Sequence, residues 1–207
     1  MTTARDLLIV AIDLEPDRSV DSGALSLTLA GAEVLDLLDG GVLRLDGVRI
    51  VPADHSRQDD PLLREAAASL VRQEPYEPVE DWLWRRGRDL SSAYQAAFEA
   101  EGQLARPHRR LASFRAAAPA ALVDSPARSR AEARWADREP VLVALAAAAG
   151  LYDEPSDESG ENDPGIPDDT VATVLAAVHD AVMELEAVRQ RRAVEEAAFD
   201  NVWRGSV

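Results

Sequence analysis

The stretch from Leu25 to Asp39 limits the folds open to this chain more than any other. With Ala24, the residues Leu27, Gly31, Val34, Leu35 and Leu38 recur at helical spacing on one face. Gly40-Gly41 then supplies a helix stop. From Val42 to Val51 the period drops to two. Leu43 and Leu45 precede Asp46-Gly47, and Val48 and Ile50 follow it, the pattern of a hairpin with a favoured two-residue turn.

The flanking segments read mostly as helix. Residues 4 to 12 form a short helix, and Asp60-Pro61-Leu62-Leu63 opens another that runs to about Gln73 with proline in its first turn. Val79 to Trp84, Leu90 to Glu101 and Ala131 to Asp137 are further helices. Gly102-Gln103-Leu104 repeats the helix, glycine, strand order of Gly41-Val42-Leu43, which predicts a second, arginine-rich hairpin through Phe114. Val141 to Ala149 is apolar on every side, as expected of a central buried helix. Thr170 is placed to cap a last helix whose Val171, Val174, Leu175, Val178, Val182, Leu185 and Val188 form one inward stripe. Between these two, Asp153 to Asp169 holds eight acids, three prolines and two glycines and reads as a mobile acidic loop. The expected fold is a mainly α, single-domain helical bundle over residues 1–207, built around a buried central helix with one or two short β-hairpins.

Several function classes lose their chemistry at this stage. Without cysteine there is no disulfide, thiolate metal site or cysteine nucleophile, which suits a reducing compartment. The three histidines, His55, His108 and His179, lack metal-ligand spacing, and no nucleophile elbow or phosphate-binding glycine loop appears. The acidic loop fails as an EF-hand: counted from Asp157, Asn162 stands where glycine is needed and Asp168 where the bidentate glutamate belongs. The N-terminus lacks the basic and apolar regions of a secretory signal, and Val141 to Leu151 is far short of the roughly 20 apolar residues a bilayer span requires. No enzyme, no cofactor and no metal are expected, and the location expected is cytoplasmic.

Charge narrows the partners. The net charge is -16, and all 22 basic residues are arginine, a composition that points to a GC-rich, bacterial genome. Such acidity opposes non-specific binding to DNA or anionic lipid. From Trp84 to Trp135, however, ten arginines stand against five acids. Screening over about 8 Å at physiological ionic strength lets such a region act locally. The competing reading is that these arginines pair with acidic helices of the same chain. The helix and hairpin also outline a winged helix, but Ala24 to Asp39 offers Glu33, Asp36 and Asp39 and no base, so no nucleic acid partner is expected.

Leu29-Ala30-Gly31-Ala32-Glu33-Val34-Leu35-Asp36-Leu37, followed by Gly41 and Leu43, resembles the Leu-x-Gly-x-x-Leu-x-Glu-Leu helix and Gly-Arg-Leu strand of the Golgi phosphoprotein 3 family, with Asp36 for glutamate and Val42 for arginine. Asp6 to Asp13 is similar to that family's opening helix, Asp60-Pro61-Leu62-Leu63 to its Gly-Asp-x-Leu-Leu segment, and Val79-Glu80-Asp81-Trp82-Leu83 to its Val-x-x-Trp-Ile motif. Glu101-Gly102-Gln103-Leu104 completes the series in the same order. The resemblance implies a mainly helical domain. It also implies binding of phosphatidylinositol 4-phosphate through a tryptophan and an arginine around the second helix and two arginines on a later one. Those positions fall here on Asp21, Ala30, Arg88 and Ser91, so only Arg88 keeps the family's chemistry. One planar guanidinium fork does not rebuild a pocket, and Asp21 repels phosphate. The coat-protein contact of the family's N-terminal arginine cluster does not carry over either, because Arg5 stands alone.

The expectation drawn from these residues is a non-enzymatic binding protein, docked peripherally at the inner face of a membrane on an anionic phospholipid headgroup, phosphatidylinositol phosphates included. Arg85, Arg86, Arg88, Arg106, Arg109 and Arg110 are its candidate ligands and Trp84 its interfacial anchor, with Trp82 the more core-like of the two tryptophans. The alternative is a helical protein-interaction or homo-oligomerisation domain whose second hairpin pairs with another subunit.

Overall fold

The computed structural model describes residues 2–14, 21–53, 58–105, 121–151 and 168–204, with side chains as far as residue 196. In chain order the elements are α1 (Thr3–Leu14), α2 (Ser22–Asp39), β1 (Leu43–Asp46), β2 (Arg49–Pro52), α3 (Pro61–Ala68), α4 (Val79–Arg86), α5 (Leu90–Ala100), β3 (Leu104–Ala105), β4 (Ala121–Leu122), α6 (Pro126–Ala136), α7 (Pro140–Ala148) and α8 (Asp169–Arg204). The fold is mainly α, with two short antiparallel strand pairs.

The helix α2 is the axle. It packs against α1, α3, α4, α5, α7, α8 and β1, and 13 of its 18 residues are buried. Its start is fixed by Asp21, whose carboxylate accepts from the Ala24 N–H at 2.7 Å. Its end is fixed by Gly41 at φ +64, a left-handed conformation that glycine adopts without penalty. There the Gly41 N–H donates to the Leu38 carbonyl at 3.0 Å and the Val42 N–H to that of Leu37 at 2.9 Å, the paired bonds of a Schellman stop. The same pair recurs at Gly102 and Gln103 before β3.

Three expectations shift. The central buried helix is α2, not the apolar Val141 to Ala149 segment: α7 buries Leu142, Val143, Leu145 and Ala146 but lies at the side of the bundle. The first hairpin pairs Asp46 with Arg49, so its two-residue turn is Gly47-Val48 with Gly47 at φ +58. This register keeps Leu45 opposite Ile50. In the second hairpin β3 pairs with β4, Leu104 with Leu122 and Ala105 with Ala121. Residues 106–120 between them, and most of the acidic stretch from 153 to 169, lie outside the described residues. The α8 stripe packs inward as far as Leu185, with Val174, Leu175, Val178 and Val182 buried.

Gly31 explains how α2 and α8 approach. A Cβ at Gly31 would stand 2.2 Å from Val178 Cγ2, inside any real contact. Nearby, Trp82 is fully buried and donates its indole N–H to the Ala30 carbonyl at 3.2 Å.

Asp36 joins α2 to α1. Its carboxylate accepts the N–H groups of Thr3 at 2.7 Å and Ala4 at 3.0 Å, capping the first helix from the second. Burial pushes this carboxyl up to about 6 despite those bonds and the nearby Arg134. An unfolded aspartate titrates near 3.9, so Asp36 contributes most stability below that pH and loses it as pH rises through about 6.

Two outcomes follow from this packing. Gly31→Ala should lower unfolding stability by about 1–2 kcal/mol in urea titration, overpacking outweighing alanine's helical advantage of ~1 kcal/mol. The same change should cost less in a Val178→Ala background, and an unchanged midpoint in the single variant would contradict the close approach. For Asp36→Asn, stability relative to wild type should rise between pH 4 and 7 by on the order of 2 kcal/mol. A pH-independent difference would mean that the carboxyl titrates normally.

Candidate functional site

Among the described residues, four arginines of the basic stretch are committed to carboxylates of the same chain. Arg85 meets both Glu77 oxygens at 2.7 Å, donates to the Ser69 carbonyl and stacks 5.1 Å from the Trp82 ring centre. Arg86 points into the bundle, where its fork meets Glu33 at 2.8 and 3.0 Å and Glu65 at 2.6 Å. Glu33 is wholly buried and also accepts from the Tyr94 hydroxyl at 3.1 Å. Burial raises the Glu33 carboxyl against the pull of Arg86 and Tyr94, and it raises the Tyr94 phenol further, helped by Glu33. Arg128 pairs with Asp13, Asp124 and Glu132, and Arg134 with Asp6 and Glu139. Arg106, Arg109 and Arg110 lie outside the described residues.

Arg88 differs. It is exposed, and its guanidinium makes no ion pair or side-chain hydrogen bond among the described residues. It stands in the three-residue turn between α4 and α5, a turn shaped by its two neighbours. A Cβ at Gly87 would meet the Leu83 carbonyl at 2.5 Å and the Ser26 carbonyl at 3.3 Å, so the chain passes flush against α2. Asp89 takes the left-handed conformation at φ 54, which acids tolerate better than most residues. Its side chain does not cap α5.

The resulting cleft, about 240 Å³, is lined by Ser22, Ser26, Ser91, Ser92, Trp84 and Arg88, with Gly23, Leu27, Gly87, Asp89 and Leu185 completing the wall. Serines fasten its floor. The Ser91 N–H donates to Ser26 Oγ at 3.1 Å, the two hydroxyls lie 2.9 Å apart, and both reach the Ser22 carbonyl. The starts of α2 and α5 are thereby held side by side, and each brings the positive end of a helix dipole to the cleft. Trp84 is half-buried, packed on the core with the cleft beside it.

Electrostatics separates this cleft from larger ones. A 680 Å³ cleft carries Asp36, Asp39, Glu139 and Asp168 against Arg44 and Arg134. Another of 560 Å³ has Asp36, Asp39, Asp59 and Asp60 against Arg5 and Arg130. A third, of 520 Å³, has Glu80, Asp180 and Glu184 and no arginine. Acids outnumber arginines in each of these, whereas the Arg88 cleft sets one arginine against one acid, Asp89. No group of three or more metal-ligating side chains is gathered among the described residues, and no described helix is long and apolar enough to cross a membrane.

Of the four positions that the resemblance marks, Arg88 and Ser91 line the cleft, and Asp21 sits at its edge as the α2 cap. Ala30 is fully buried in the core. Sequence reasoning missed Ser22, Ser26, Ser92 and Leu185. Serines within the first two turns of α2 and α5 were the available signal, whereas Leu185 arrives from far along the chain. It also missed Arg189, one turn beyond Leu185, which pairs with Asp21.

No curated protein matches the chain. A family model described as Golgi phosphoprotein 3 (GPP34) matches residues 4–194, which takes in every element from α1 to α7 and most of α8. The chain belongs to the Golgi phosphoprotein 3 family.

Proposed function

We propose that the protein is a non-enzymatic, peripheral membrane-binding domain that takes an anionic phospholipid headgroup in the Arg88 cleft. The observation that carries this reading is Arg88 itself, an exposed guanidinium without a carboxylate partner among the described residues, set between two helix starts and beside the Ser22 and Ser92 hydroxyls. Arginine suits the task because its planar fork forms paired, charge-assisted bonds to phosphate oxygens. The exposed Ser22 and Ser92 hydroxyls and the start of α5 add donors with no lysine or metal required, those of Ser26 and Ser91 being spent on the Ser22 carbonyl.

The cleft's size fits the same ligand class. At about 240 Å³ it is below the range of roughly 300–1,000 Å³ that encloses a drug-sized molecule. A phosphate with part of its alcohol fits, while the remainder of a lipid would stay outside. Trp84, at the wall, supplies an amphipathic ring of the type favoured at membrane interfaces. The net charge of -16 makes binding dependent on this local geometry and sensitive to salt.

Co-sedimentation with phosphatidylcholine vesicles, alone or doped with phosphatidylglycerol or a phosphatidylinositol phosphate, tests the reading. Binding should require the anionic lipid and weaken with salt. Arg88→Glu should reduce it by about tenfold or more, the worth of a charged hydrogen bond. Equal binding to neutral vesicles, or an Arg88→Glu variant that binds like wild type, would refute the assignment.

A further inference from the structure

Asp21 and Arg189 form an ion pair at the edge of the Arg88 cleft. Asp21 does two jobs with one carboxylate: it caps α2 through the Ala24 N–H and it pairs with the guanidinium of Arg189. Arg189 follows Leu185 by one helical turn on α8, and Leu185 lines the cleft. Gly23, also in the lining, shows how near the pair stands. A Cβ on Gly23 would be 2.8 Å from Arg189 Nη2 and 3.2 Å from Asp21 Oδ1. Glycine at this position leaves the guanidinium room to lie against the start of α2.

The pair is accessible. Its side chains keep 44% and 42% exposure, so the contact is made in water and is weak. Bonds from Ala24 and Arg189 lower the Asp21 carboxyl against burial, so it stays ionised at neutral pH. A carboxylate therefore occupies the start of α2, as a bound anion would, and holds Arg189 beside Gly23 of the lining.

From this arrangement we infer that Arg189 is a second, latent anion-binding residue of the Arg88 cleft, held in reserve by Asp21, and that Asp21 is an internal competitor for the phosphate group. The inference rests on the Arg88 reading and extends it. A phosphate at the cleft would find one free guanidinium in Arg88 and take the other by displacing a solvent-exposed pair. Asp21 then acts as a built-in weakener. It sets the affinity low and favours ligands with enough charge to win Arg189, a phosphomonoester over a phosphodiester. Arg88 and Arg189 come from a turn and a helix far apart in sequence, so a ligand bridging them would also tie α8 to the α4–α5 turn.

The test compares wild type, Asp21→Asn, Arg189→Gln and the double variant in phosphatidylcholine vesicles carrying a phosphatidylinositol phosphate, with Arg88→Glu as reference and inorganic phosphate as soluble competitor. Asparagine keeps the helix cap, so Asp21→Asn should remain folded, as far-ultraviolet circular dichroism would verify. It should bind about two- to fivefold tighter, the worth of releasing an exposed ion pair. Arg189→Gln should remove that gain in the double variant. An Asp21→Asn variant no tighter than wild type, or a gain that persists without Arg189, overturns the inference while Arg88-dependent binding stands. Insensitivity of every variant to Arg88→Glu instead overturns the reading beneath it. Competition by inorganic phosphate at full strength would assign the site to free phosphate rather than to a lipid headgroup.

Discussion

The placement of the cleft depends on the contact between Glu33 and Arg86. A carboxylate with no exposure, in the middle of the central helix α2, is costly unless it is paired and fully hydrogen-bonded. Arg86 meets both oxygens and Tyr94 adds a third bond. Burial alone would depress the Arg86 guanidinium, yet its bonds to Glu33 and Glu65 hold it above the ordinary arginine range. This contact fixes the last turn of α4 on α2 in one register, because a shift by one residue would leave a buried charge alone. Gly87 then lies flush with the Ser26 carbonyl, and the next residue, Arg88, is turned to the surface beside the serines. The neighbouring arginines have opposite fates because the helix ends between them.

What was legible in the sequence was mostly local. The Gly40-Gly41 stop, the hairpin and the glycine before β3 were readable because each is decided by backbone conformations within a few residues. Even there, the hairpin turn sits one residue later than Asp46-Gly47, because the opposition of Leu45 to Ile50 decides the register. The start of α6 was missed by five residues, although Ser125 and Pro126 form a readable cap. Burial was less readable. The segment from Val141 to Ala149 looked central because it lacks charge, whereas α2 is central and carries Glu33 and Asp36. Periodicity has no means of recording that a distant arginine or the start of another helix satisfies such an acid.

The site was legible to a smaller degree for the same reason. Ten arginines in one stretch showed where positive charge is made, not where it is free. Arg85, Arg86, Arg128 and Arg134 are matched with acids drawn from α1, α2, α3, the segment before α4, α6 and the start of α7. Within the basic stretch, pairing with a carboxylate is the commoner fate of the described arginines. Arg88, with no ion pair among the described residues and a place in the wall of a cleft, is therefore more informative than the cluster.

The chain's surplus of carboxylates bears on how the Arg88 cleft is built. A second guanidinium contributed by α2 at Ala30 would have to leave the core, since Ala30 has no exposure and its carbonyl anchors Trp82. At Asp21 the chain places a charge opposite in sign to what an anion needs. Arg189 on α8 offsets that charge and stands where Gly23 leaves space for it. The local balance around the start of α2 is thus close to neutral, not repulsive. On the proposed reading, an approaching phosphate would exchange one anion for another at Arg189 and gain Arg88, so net attraction would require no change in the charge of the protein as a whole.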